Sequence, residues 1–376
     1  MANESNFINF TGMKIKEITS YLEAIAPLHY QESYDNSGLL VGHPEQEVTK
    51  ALICLDSTEA IVDEAIKHNC DLIIAHHPII FSGLKKINGK NYIERTVIKA
   101  IQHRIAIYAI HTNLDNIHDG VNSMIANKLG LEDTYVLQPK KEILKKLIVF
   151  VPLDAVEKIA SAIHEAGAGH IGNYSHTSFR TPGLGTFKGN EASQPTIGKK
   201  GQLEEVQEFR FETVFLAHLE NKVLKAMFTA HPYEEVAYDI VHLDNLTDMV
   251  GAGKIGHLPQ AMDSKDFLLS LKEKFNIQCI RHTTLVKKQI TKVAVCGGSG
   301  SFLLQDAIRQ NADVFITADY KYHQFFDAED KIIIADIGHY ESEQFTKELI
   351  FELLSQKFPN FALHFSELNT NPIKYL

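Results

Sequence analysis

The chain has 376 residues, 44% hydrophobic content and a formal net charge of −10, enough apolar material to bury a large core in two or three domains. It contains no run of 18 apolar residues, its opening stretch Met1 to Thr11 is polar, and no basic cluster offsets the negative balance. These features argue against a membrane span, a leader segment, anionic-membrane binding and nonspecific nucleic-acid binding, and they make a cytoplasmic location the expectation.

In chain order, Lys16 to Ile25 carries helical periodicity (Ile18, Tyr21, Leu22, Ile25) and Pro27 closes it. The polar turn Tyr34-Asp35-Asn36-Ser37-Gly38 then runs into the short apolar strand Leu39-Leu40-Val41. Asp35 and Asn36 either satisfy turn backbone or lie near a site, and the sequence weighs these readings equally. From Thr49 the pattern is strand, helix, strand: Ala51 to Leu55, Ser57 to Lys67, and Leu72 to Ala75, the last ending in His76-His77-Pro78. A short apolar run between helix-like flanks reads as a buried parallel strand, and Pro78 ends its ladder. Two histidines therefore stand at a strand's C-terminal end, the edge where open α/β sheets bind ligands. Adjacent side chains on extended backbone point to opposite sides, so the pair suits two ions better than one.

Thr49 to His77 aligns without a gap on Thr291 to Asp319 at a constant offset of 242. Thr49, Lys50, Cys54, Ser57, Ala65, Ile66, Asn69, Asp71 and Ile74 meet identical residues, more than unrelated βαβ units usually share. The chain reads as internally duplicated, with the two halves bringing their strand ends to one cleft. The partners of His76 and His77 in the second half are Ala318 and Asp319, so the repeat has diverged at its chemical end.

Each half offers a second strand end. Ile105 to Ile110 leads to His111-Thr112-Asn113-Leu114-Asp115, and Lys331 to Ile337 leads to Gly338-His339-Tyr340-Glu341-Ser342-Glu343. Ser342 to Leu354 reads as a helix, and His339 and Glu343, four apart at its start, share one face with Cβ atoms about 5–6 Å apart. The pool of candidate ligands is His76, His77, His111, Asp115, His339 and Glu343. Imidazole and carboxylate without thiolate suit Zn²⁺, Mn²⁺ or Fe²⁺, and spacing does not choose among them. The cysteines Cys54, Cys70, Cys279 and Cys296 are scattered singly without a C-x-x-C pair, which predicts free thiols. Gly297-Gly298-Ser299-Gly300 looks like a phosphate-cradling loop but lacks a full dinucleotide fingerprint, so a tight strand-to-helix turn is favoured.

The motifs Ala75-His76-His77-Pro78, His111-Thr112-Asn113-Leu114-Asp115 and Gly338-His339-Tyr340-Glu341-Ser342-Glu343, with Asp35-Asn36-Ser37-Gly38-Leu39-Leu40 before them, resemble the GTP cyclohydrolase I type 2 homologue (NIF-three-like) family. The resemblance covers the N- and C-terminal parts. It implies a dinuclear metal centre whose ligands fall on His76, His77, Asp115, His339 and Glu343, with Glu343 as the bridge, in a toroidal homohexamer whose sites face an internal cavity. Ala318 departs mildly from the family pattern, which tends to place Gly before the Asp. Lys321 and His323 either line the cavity, with Lys321 meeting an anionic substrate, or are solvated.

The middle of the chain differs in kind. Leu147 to Val151 reads as a strand, Ala155 to Ala166 as a helix, Gly167 to Gly201 as turns around short strands, Phe209 to Phe215 as a strand, Leu219 to Thr229 as a helix and Ala237 to Leu243 as a strand. This β-α-β-β-α-β order is the ferredoxin-like signature, and it resembles the PII-like or CutA-like insert of the family's long form. Thr181 to Phe187 is expected to be a loop, and Ala230-His231-Pro232-Tyr233-Glu234-Glu235 a turn. The expected architecture is α/β: two duplicated βαβ-type halves, 1–140 and 248–376, forming one NIF-three-like domain interrupted by an α+β insert at 141–247. Two functions fit. One is a metal-dependent hydrolase with two divalent ions per chain, acting on a small molecule such as a nucleotide. The family name suggests opening of the guanine imidazole ring of GTP, and closeness in sequence makes His111 and Glu341 the proton-transfer candidates. The other is a non-catalytic metal-binding chaperone or regulatory scaffold with a ligand-sensing insert.

Overall fold

The structure is a computed structural model that describes residues 12–376; the polar stretch Met1 to Thr11 lies outside the described residues. It is a mixed α/β protein with several sheets. The chain divides into two compact units, the described part of Met1–Pro139 with Asp248–Leu376, and Lys140–Thr247. Among the described residues no helix is long and apolar enough to cross a membrane.

The first unit holds two main sheets. One runs in the order Ala362–Phe365, Lys50–Asp56, Leu72–His77, Ala106–Ala109, Gly38–Val41, with the first four strands parallel and the last antiparallel. Strands covered on both faces read as continuous apolar runs, and Leu72 to His76 are all buried accordingly. Helices Glu59–Lys67 and Tyr92–Gln102 pack Ile61, Val62, Ala65, Val97 and Ala100 against this sheet. Their start points are written in the sequence, since Thr58 Oγ1 accepts from Ile61 N–H and Asn91 Oδ1 from Glu94 N–H. The other sheet contains the parallel trio Gln289–Ser299, Val314–Ala318, Ile333–Asp336, flanked by antiparallel Arg281–His282 on one side and by Gly251–Asp263 and Glu132–Pro139 on the other.

Matching details recur at the same offset in the two sheets. Asp71 Oδ2 accepts from Thr49 N–H at 2.7 Å, and Asp313 Oδ2 from Thr291 N–H at 2.9 Å. Asn69 and Asn311 both adopt left-handed backbone (φ 52° and 57°), a conformation Asn tolerates better than most residues. Ala51 pairs with Leu72 as Val293 pairs with Val314.

The second unit is an antiparallel sheet in the order Tyr238–Leu243, Leu144–Pro152, Leu203–Leu216, Phe179–Lys188, with helices Val156–Glu165 and Glu220–Ala230. Its element order is β-α-β-β-α-β. Leu147, Val149 and Val151 alternate inward to meet Ile159, Ile163, Phe211, Val223 and Met227 in the core. Thr181 to Phe187 is not a loop: it lies in the ten-residue strand Phe179–Lys188, paired along Leu203–Glu212. Most of its side chains are exposed, so no alternation marked it as a strand, and Gly183 and Gly185 lower its β-propensity.

Candidate metal centre

The strand ends of both main sheets of the first unit supply the site. Leu72–His77 delivers His76 and His77, the turn after Ala106–Ala109 delivers His111 and Asp115, and the short helix His339–Glu343 follows Ile333–Asp336. Gly338 precedes that helix at φ 94°, a conformation open to glycine, and a Cβ there would meet the Glu341 carboxylate at 2.2 Å.

Each imidazole is anchored through Nδ1, leaving Nε2 for the site. His76 Nδ1 lies 2.8 Å from the Ile110 carbonyl, His77 Nδ1 2.7 Å from Asp56 Oδ1, His111 Nδ1 2.8 Å from Asp35 Oδ1, and His339 Nδ1 2.7 Å from Asp319 Oδ2. Such partners fix ring orientation and raise ligand basicity in metal sites. Asp35 is held in turn by Thr112, whose amide and hydroxyl both donate to Oδ2, and Asp56 by the Thr370 hydroxyl.

The five residues that the resemblance picked out converge. Glu343 Oε2 lies 3.0 Å from His77 Nε2, 3.1 Å from His339 Nε2 and 3.9 Å from His76 Nε2. His77 and His339 Nε2 are 3.3 Å apart, and His76 Nε2 is 3.6 Å from Asp115 Oδ1. Two groups with donor atoms close enough for one ion share Glu343: His77, His339, Glu343 and His76, Asp115, Glu343. Two donors bound at about 2.1 Å around a tetrahedral cation sit about 3.4 Å apart, close to these spacings. His76 Nε2 and Asp115 Oδ1 are buried without a hydrogen-bond partner, a costly state for polar atoms that a shared cation would relieve. The donor set of imidazole and carboxylate fits divalent Zn, Mn or Fe.

The electrostatics agree. Burial opposes charge on His77 and His339, but the first is raised to about 9 by its hydrogen bonds to Asp56 and Glu343, and the second to about 11 by Glu343 and Asp319. Burial likewise works against ionising Glu343, yet the surrounding imidazoles hold it well below the usual carboxylate range. Burial pushes Asp115 up to about 7, and it lowers His111 despite the Asp35 carboxylate. The structure thus concentrates proton-holding groups where cations would replace the protons.

A cavity of about 700 Å³ opens onto the cluster, walled by Tyr34, Phe81, Tyr92, Phe302 and Ile373 as well as His77, His111, Asp115, His339 and Glu343. Glu341 is not part of its wall. Its carboxylate accepts from Asn371 Nδ2 at 2.9 Å, because two residues along a helix is a rotation of about 200°, away from the face His339 shares with Glu343. Lys321 and His323 are exposed and outside the wall. The Gly297–Gly300 stretch is no anion cradle: Gly297 N–H donates to Asn122, Gly298 N–H to Ser342 and Gly300 N–H to Thr317. Of the turn residues left open, Asp35 reaches the site through His111, while Asn36 Nδ2 donates to the Ile80 carbonyl. Sequence reasoning missed Asp56 and Asp319 as supports of His77 and His339. The one available signal was that Asp319 occupies the repeat position of His77.

The family profile of Duf34/NIF3 (NGG1p interacting factor 3) matches residues 13–372. A Halalkalibacterium halodurans protein named GTP cyclohydrolase 1 type 2 homolog is 42% identical over 91% of this chain and 93% of its own length. A Bacillus subtilis protein of the same name is 39% identical over 96% and 98%. Among solved structures, a Bacillus cereus protein described as related to NIF3 superposes with a TM-score of 0.84 at 41% identity, covering 97% of this chain and all of that one.

Proposed function

The chain belongs to the Duf34/NIF3 family, and from that premise we propose that it is a dinuclear metal-binding protein acting as a metal-dependent hydrolase. The observation that carries this reading is Glu343 Oε2 standing between the His77–His339 pair and the His76–Asp115 pair. His77 and His339 would hold one cation, His76 and Asp115 the other, and Glu343 would serve both. Two such ions supply an activated water at neutral pH and polarise the bond to be cleaved.

The chain's own groups do the rest. His111 donates Nδ1–H to Asp35, leaving Nε2 as the proton acceptor, and its lowered pKa keeps the ring neutral at pH 7. Glu341, tied to Asn371, takes no part. The aromatic wall of Tyr34, Phe81, Tyr92 and Phe302 suits a planar heterocycle, which favours a ring-opening hydrolysis, with the relatives' name of GTP cyclohydrolase 1 type 2 homolog in support, over metal storage or a scaffold role. The reading extends to architecture: the paired hydrogen bonds of Asp71 and Asp313 support two duplicated halves, and the β-α-β-β-α-β order supports a ferredoxin-like, PII/CutA-like insert at 141–247. The family resemblance extends the proposal to a toroidal homohexamer in the cytoplasm.

Metal-reconstituted protein assayed against GTP, other nucleotides and generic phosphoesters, beside the His77→Ala variant, tests the reading. Hydrolysis lost in the variant is the expected result. Turnover that survives it sinks the metal mechanism, and two bound ions without turnover of any substrate sink the hydrolase in favour of the scaffold.

A further inference from the structure

A second cluster of ligand-type side chains lies at the other end of the same sheet. Glu64 and His68 are four apart at the end of helix Glu59–Lys67 and share one face. His364 comes from the edge strand Ala362–Phe365, where it pairs with Leu52, four residues before Asp56 and so roughly 13 Å along the strand from the His77 support. The three residues offer donor atoms within 4.8 Å of one another. The rings of His68 and His364 stack with centroids 4.1 Å apart at 30°. His364 Nε2 is buried without a hydrogen-bond partner.

We propose that Glu64, His68 and His364 form a separate mononuclear site for a divalent transition-metal ion of the Zn²⁺ class. The bland alternative makes Glu64 an anchor for the strand's exit, since its two oxygens accept from Ser366 Oγ at 2.6 Å and from Glu367 N–H at 2.8 Å. Those bonds account for Glu64 alone. They explain neither the face-to-face imidazoles nor the buried nitrogen without a partner, and each carboxylate oxygen keeps a second lone pair for a cation. The nearby charges are mixed: Glu64 and Glu367 beside Lys50, whose Nζ donates to the His68 carbonyl at 3.1 Å, and Lys347, whose Nζ donates to the Ser366 carbonyl at 3.2 Å. Burial lowers the pKa of His364, with His68 and Lys50 adding to the effect, so the ring is neutral and able to bind. Two nitrogens and one carboxylate leave room for water as a fourth ligand.

The site would staple helix Glu59–Lys67 to the strand that starts the C-terminal segment. That segment carries Thr370 to Asp56 and Asn371 to Glu341, so the staple would steady the supports of the candidate centre without depending on the metal chemistry there.

The test is Zn²⁺ stoichiometry of the full-length chain, stripped with chelator, reloaded with Zn²⁺ and analysed for metal, in wild type, His364→Ala, His68→Gln and His77→Ala. The expected result is a loss of about one Zn²⁺ per chain in His364→Ala and in His68→Gln, with that ion retained in His77→Ala. Co²⁺ substitution should show the same ion as visible bands missing only from the first two variants. Circular dichroism checks folding, and His68→Gln, a substitution that keeps a polar side chain, decides the matter where His364→Ala does not fold. Unchanged Zn²⁺ content in a folded His364 or His68 variant overturns the proposal, as does loss of all Zn²⁺ in His77→Ala.

Discussion

Gly298→Ala probes how tightly the strand end of Gln289–Ser299 fits against the shared carboxylate. Gly298 has φ +58°, and a Cβ there would stand 2.5 Å from Glu343 Oε1 and 3.2 Å from His339 Cε1, whereas ordinary contact begins at 3.4 Å. The carboxylate must therefore retreat by about 0.9 Å, several times the roughly 0.2 Å that metal–ligand distances tolerate. Removing even an outer partner of a ligand typically costs 10–100-fold in metal affinity, so displacing the shared ligand should cost about 100-fold or more. Left-handed backbone adds about 1–2 kcal/mol of strain for any residue with a Cβ. Gly130→Ala isolates that second cost, because Gly130 has φ +76° at the end of helix Val121–Leu129 with nothing within 4 Å of an added Cβ. Competition titration of Zn²⁺ or Mn²⁺ against a fluorescent chelator, with thermal melts in parallel, should show both variants destabilised alike and only Gly298→Ala deficient in metal. Wild-type affinity in a folded Gly298→Ala protein would refute the reasoning.

Further outcomes follow from the same geometry. Asp319→Asn removes the carboxylate behind His339 and should weaken metal binding about 10–100-fold with little change in melting temperature; the same chelator competition reads it. Metal loading should release protons below about pH 11, because His339 holds one up to that pH, His77 another up to about 9 and Asp115 a third up to about 7. Affinity then rises with pH across that range, and calorimetry in buffers of different ionisation enthalpy counts the protons; a pH-independent affinity would contradict it. Phe211→Ala empties a fully buried position of the 140–247 unit and should cost about 3–5 kcal/mol in chemical denaturation. Glu341→Gln should leave metal content unchanged, since that carboxylate faces Asn371.

The strands that end in the site were legible because burial on both faces forces unbroken apolar runs, as in Leu72 to Ala75 and Ile333 to Ala335. Histidines and carboxylates stood out because they follow those runs directly. Their supports did not: Asp56 lies 21 residues from His77 and Asp319 20 from His339, and a hydrogen bond across strands leaves no periodic trace. Closeness in sequence misled for Glu341, where helix rotation turns a neighbour of His339 away from it. The glycines of Gly297–Gly300 read as a tight strand-to-helix turn, which is what joins Gln289–Ser299 to the helical turn Ser301–Leu303; that Gly298 also lets Glu343 approach the backbone left no mark in the sequence. Ala362–Phe365 is half-buried throughout and shows no alternation, so nothing local marked the edge strand that brings His364 beside the helix.

The account stands most directly on where cations bind in the cavity. Crystals of metal-loaded protein, measured at the metal's absorption edge, should show two anomalous peaks about 3.5–4 Å apart, one beside His77 and His339, the other beside His76 and Asp115, with Glu343 between them. A cavity with no peak, or with one lying away from Glu343, would contradict it.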